Sequence, residues 1–116
     1  GGANGWNYWK FGNGLLIQIR PFSRNCQFSA WGNIFTCNIN AGNDEVPNYP
    51  ISFVDRPYRG ISISTGSGAN ALSVTPVIDN YGESIYKVNF GTWLISRGTN
   101  VTASYYFILC AIGRWK

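Results

Sequence analysis

Residues 6–20 read WNYWKFGNGLLIQIR, and this stretch decides the fold class. Two apolar, aromatic-rich runs flank Gly12-Asn13-Gly14. Glycine-asparagine punctuation between such runs is a strong hairpin signal, because both residue types reach the positive φ values that a tight turn needs. In the second run Leu15, Ile17 and Ile19 alternate with Leu16, Gln18 and Arg20. That period of two predicts a strand with one face more buried than the other. Pro21 has no backbone N–H to give to a ladder, so the strand is expected to stop there.

The same reading extends in both directions. From Trp31 to Asn40 the chain alternates again, with Trp31, Asn33, Phe35, Cys37 and Ile39 on one face and Ile34, Thr36 and Asn38 on the other. One strand is expected. Residues 41–50, AGNDEVPNYP, are polar and carry two prolines, which marks a loop within one domain. Extended structure resumes over residues 51–65, interrupted near Asp55 to Pro57. After a turn at Gly66 to Asn70, Leu72, Val74, Pro76 and Ile78 alternate with Ser73, Thr75 and Val77, and Pro76 calls for an edge position or a bulge. Asp79 to Ser84 is a turn. It leads into expected strands over Ile85 to Phe90 and Trp93 to Ser96, before the chain turns again at Arg97 to Asn100. The last run, ASYYFILCAIGRWK, is apolar almost throughout, as in a central strand covered on both faces. About seven or eight strands with no defensible helix point to an all-β sandwich or barrel.

Composition agrees. Only 12% of the 116 residues are charged while 16% are aromatic, and the polar remainder is mostly Asn, Ser, Thr and Gly, residues of turns and strands rather than of helices. One domain spanning residues 1–116 is expected, long enough to bury a core without staples. The net charge of +4 is spread from Lys10 to Lys116 without a basic stripe, so no nucleic-acid partner is expected. No apolar run reaches the roughly 20 residues of a spanning helix, and no membrane insertion is expected. Cys26, Cys37 and Cys110 are odd in number and lack metal-ligand spacing. Cys37 and Cys110, in strand-like apolar runs, read as small buried hydrophobes, and the chain is expected to fold in a reducing cytoplasm.

Catalysis is disfavoured at the level of residue types. The chain has no histidine, which removes the commonest general base, the Ser/His and Cys/His pairs, and imidazole metal sites. A carboxylate pair for glycoside cleavage would have to come from Asp44, Glu45, Asp55, Asp79 and Glu83, which sit mainly in turn-like segments. No enzyme activity, cofactor or metal is expected. Binding is another matter. Sugar recognition needs an aromatic face for the C–H side of a ring and Asn, Asp or Arg for its hydroxyls. Loops with those residue types are Asp79-Asn80-Tyr81 with Glu83, Arg97 to Asn100, and Asn43 to Tyr49. The candidate ligand contacts are therefore Asp79, Asn80, Tyr81, Glu83, Arg97, Asn100 and Tyr49, against the plain alternative of ordinary solvent loops and a buried Tyr49. Trp115, between Arg114 and Lys116, reads as the cap of a subunit contact through cation–π stacking.

Three pieces of the chain, taken together, resemble the C-terminal domains of bacteriophage tail fibres. The first is Tyr8-Trp9-Lys10-Phe11-Gly12-Asn13-Gly14-Leu15-Leu16-Ile17-Gln18, similar to that family's aromatic-lysine, turn, asparagine-glycine-leucine-isoleucine-glutamine opening. The second is Tyr49-Pro50-Ile51-Ser52-Phe53 followed by Pro57-Tyr58. The third is the alanine-isoleucine-glycine ending in Phe107 to Lys116. Departures are Ile19-Arg20, where the family has tryptophan-glycine, and the long 41–48 insertion. The resemblance implies an antiparallel, jelly-roll-like β-sandwich, assembled as a homotrimer at the distal end of a fibre on the virion and made in the host cytoplasm. It implies contact with a receptor on the bacterial surface, with carbohydrate the expected class. Two other readings remain open: a purely structural trimerisation or capping domain, and a carbohydrate-binding module of a secreted bacterial protein. The two leading glycines fit a piece of a longer fibre.

Overall fold

The structure is a computed structural model and describes residues 1–39, 46–65, 75–78, 87–98 and 103–116. Nine strands occur among the described residues: β1 Gly2–Ala3, β2 Trp6–Lys10, β3 Leu15–Cys26, β4 Ser29–Trp31, β5 Ile34–Ile39, β6 Tyr58–Thr65, β7 Thr75–Ile78, β8 Trp93–Arg97 and β9 Ala103–Arg114. They form two antiparallel sheets, in the orders β1-β2-β3-β9-β6 and β4-β5-β8-β7. The sheets pack as a β-sandwich. Trp93 of β8 meets Phe107 of β9 edge-on at 5.2 Å between ring centroids, and both belong to one buried core with Trp6, Leu16, Ile39, Phe90, Ile95, Tyr105 and Leu109.

The 6–20 stretch folds as the hairpin its glycines require. Trp9 pairs with Ile17 and Asn7 with Ile19, the Phe11 N–H donates to the Leu15 carbonyl at 2.9 Å, and Gly14 closes the turn at φ +101°. The buried face of β3 is the one carrying Leu16 and Gln18, both fully buried, while Leu15, Ile17 and Ile19 look outward and are half-buried.

Four expectations need correction. Pro21 does not stop β3, which runs on to Cys26 with Pro21 paired to Ile108. The neighbour on the other side, β2, pairs only as far as Ile19, so β3 has an open edge at Pro21 and a missing N–H is tolerated. The stretch from Trp31 to Asn40 is not one strand. Gly32, at φ +62°, turns the chain so that Trp31 pairs with Ile34 across a two-residue loop, with positive φ at its first position. Residues 51–54 are not a strand, and the interruption expected near Asp55 to Pro57 extends back to include them. Their N–H groups go to other segments, Phe53 to the Lys87 carbonyl at 2.8 Å and Val54 to the Arg114 carbonyl at 2.9 Å. Residues 87–90 are likewise outside any strand, and residues 85 and 86 lie outside the described residues.

The last strand corrects a further reading. β9 is central, between β3 and β6, yet only Tyr105, Phe107, Leu109 and Ala111 are buried by the sandwich. Its other face, Tyr106, Ile108, Cys110 and Ile112, is apolar and partly or largely exposed. Pro76 lies in β7, at an edge as a proline in a sheet should.

Candidate functional site

Asp79, Asn80, Tyr81, Glu83 and Asn100 lie outside the described residues. Arg97 and Tyr49 are described, and both are inside the protein. Arg97 is in phase with Trp93 and Ile95 on the inner face of β8. It donates from Nη1 to Tyr105 Oη at 2.8 Å and lies over the Phe28 ring at 5.5 Å. Tyr49 packs edge-on against Trp6 at 4.9 Å and Phe53 at 5.1 Å, and burial pushes its phenol pKa up. The two are also far apart. Phe53 sits against Gly113 while Arg97 reaches Tyr105, positions separated by roughly 26 Å of the same strand. They do not form a shared loop site, and neither offers its polar group to a ligand at the surface.

Trp115 makes its contacts within its own chain. Its Nε1 donates to the Phe11 carbonyl at 2.7 Å, and Lys10 Nζ and Lys116 Nζ lie 4.1 and 4.9 Å from the ring centroid. Arg114, expected as the stacking partner, instead pairs with Asp55 at 3.3 Å. The residue caps the β2–β3 hairpin of its own chain.

Two surfaces stand out instead. The first is an open groove of about 590 Å³ on the outer side of the four-stranded sheet. The two-residue turn at Gly32 moves Trp31 to the face of Ile34, Thr36 and Asn38, where its indole is 63% exposed and forms one wall. Leu94 of β8 and Val77 of β7 pair side by side beneath it, and Thr36, Asn38 and Thr92 place hydroxyl and amide groups around the apolar floor. Trp93, 1% exposed, borders the groove from within the sheet, its ring on the inner face of β8 against Phe107. None of the described lining residues is ionisable. A site of this kind can bind a neutral ligand with flat apolar faces and many hydroxyls.

The second surface is the outer face of the five-stranded sheet. Alternation and register place Trp9, Ile17, Ile112 and Tyr58 in one row across β2, β3, β9 and β6. Ile19, Cys110 and Gly60 form the next row, and Pro21, Ile108 and Ser62 the one after. No charged side chain lies in these rows, and Tyr58 is 77% exposed. A contiguous apolar sheet face of this kind marks an interaction surface.

Sequence reasoning missed Trp31. The signal for it was the Gly32-Asn33 pair, a hairpin dipeptide that reverses which face every preceding residue takes. No protein-family model, no curated protein and no solved structure matches this chain.

Proposed function

We propose that the chain is the tip domain of a bacteriophage tail fibre, a jelly-roll-like sandwich that assembles as a homotrimer and binds a receptor on the host bacterial surface without catalysis. Carbohydrate is the receptor class. The domain would be made in the host cytoplasm and carried at the distal end of the fibre on the virion.

The observation that carries this reading is the outer face of the five-stranded sheet, where three successive rows carry no charged side chain and Arg114, paired with Leu15, borders them. β9 has the composition of a strand buried on both sides, but the sandwich buries one. Two further copies of the same face, set around a three-fold axis, would cover Trp9, Tyr58, Ile112 and their neighbours, and copies related by a closed rotation present the same site several times, so that modest single-site affinities combine. The passage of the chain between sheets after β3, β5, β6 and β8 supports the jelly-roll-like description. So does the meeting of the three pieces that carry the family resemblance: Gln18 bonds to Ile51, Phe53 lies on Gly113, and Trp115 bonds to Phe11.

The same face favours a second reading, a trimerisation or capping domain with no receptor of its own. Sedimentation of fluorescently labelled chain with intact cells of a panel of Gram-positive and Gram-negative bacteria separates the two. Saturable binding to some strains and not others is the result expected of a tip domain. Absence of binding to every strain, by a chain that is trimeric, is the result expected of a cap.

A further inference from the structure

We infer that the groove beside Trp31 is the receptor site and that its ligand is an uncharged stretch of pyranose sugars; this rests on the fibre-tip reading and names the site and ligand class within it. The groove has what a neutral saccharide uses and lacks what an anionic polymer needs. The Trp31 indole offers an open aromatic face, on which the C–H side of a pyranose ring stacks. Thr36, Asn38 and Thr92 offer both donors and acceptors, matching hydroxyls that are both at once.

Charge decides between sugar classes. The chain carries +4, yet no cation lines the groove, and Arg24, which approaches from the opposite sheet, is bonded to the Asn38 carbonyl at 2.8 Å. A phosphate-linked polyol or an acidic capsule would leave its charges without partners there. A volume of about 590 Å³ lies within the range of small-ligand sites and leaves room for more than one ring.

The test is two-dimensional NMR of the intact chain, which shows one indole N–H peak for each of the five tryptophans. The probes are neutral oligosaccharides of glucose, galactose and N-acetylglucosamine, with poly(glycerol phosphate) as the anionic comparison. The expected result is that at least one neutral probe shifts the Trp31 peak and leaves those of Trp9 and Trp115 in place. Trp31→Ala should weaken that binding roughly tenfold or more, while Trp31→Phe retains most of it. The inference is overturned if no neutral probe moves the Trp31 peak, or if poly(glycerol phosphate) alone moves it. Cell binding fully retained by Trp31→Ala would overturn the groove and leave the tip reading standing. Groove binding by a chain that adheres to no cells would do the reverse.

Discussion

The side-chain amide of Gln18 holds the backbone of Ile51 from both sides, donating from Nε2 to the Ile51 carbonyl at 2.7 Å and accepting the Ile51 N–H at Oε1 at 3.3 Å. Gln18 is fully buried, in the middle of an apolar face between Leu16 and the core. The pair ties the first hairpin to the irregular 46–57 segment, whose backbone groups have no ladder of their own. Replacing Gln18 by Leu keeps the volume and strands two buried backbone groups, so a loss of about 2–4 kcal/mol is expected. Urea unfolding of Gln18→Leu measures it, and a midpoint equal to that of the parent chain contradicts this assignment.

Gly113 carries a steric requirement rather than a conformational one. A Cβ there would stand 2.7 Å from Phe53 Cδ1 and 3.3 Å from Pro57 Cα. Phe53 is buried and cannot swing away, so Gly113→Ala should cost about 1–3 kcal/mol of stability. The companion change Phe53→Leu in the Gly113→Ala background should recover part of that loss, a rescue that thermal unfolding of the single and double variants reads directly.

Burial pushes up both the Tyr49 phenol, from its ordinary 10.0, and the Cys110 thiol, from 9.0. The folded chain therefore holds these protons more tightly than the unfolded one. Their contribution to stability is complete below about pH 8, where both groups are protonated in either state, and is lost as the pH rises toward the raised folded values. Tyr49→Phe should flatten the decline above pH 10. At neutral pH it should cost little, because Tyr49 Oη has no hydrogen-bond partner to lose. Denaturant titrations at a series of pH values would show both effects.

The outer face of the five-stranded sheet should respond to charge. Ile112 lies in the row with Trp9, Ile17 and Tyr58, and a lysine in its place would have to be desolvated in any assembly that covers the row. Ile112→Lys is expected to leave the fold intact, as judged by circular dichroism, and to lower the solution mass to that of one chain. Cys110, in the adjoining row, should react slowly with a thiol reagent in the parent and faster in Ile112→Lys. Equal rates would place Cys110 outside the contact.

Much of this was legible in the residues. Gly12-Asn13-Gly14 marks its hairpin, the period-two patterns of β3 and β5 are visible as written, and the runs that form β8 and β9 read as strands. What was lost came from relations between distant segments. Pro21 reads as a stop because nothing in the local sequence reveals that β2 ends two positions earlier in register, leaving an edge. Which face of β3 is the buried one is not decided locally, because the partner that accommodates Gln18, Ile51, is 33 positions away. Two errors had local signals. Arg97 continues the alternation of Trp93 and Ile95, which face inward, so its burial follows from phase. Gly32-Asn33 is a turn dipeptide, and treating it as strand interior put Trp31 on the wrong face and hid the groove. Asp79, Asn80, Tyr81, Glu83 and Asn100 lie outside the described residues.

The most direct measurement is the solution mass of the chain by light scattering across a dilution series. Each chain contributes 12.9 kDa. The account predicts a mass three times that value, falling to a single chain only at high dilution or in Ile112→Lys. A mass of one chain at every concentration would contradict the homotrimeric tip and turn the reading toward a monomeric carbohydrate-binding module.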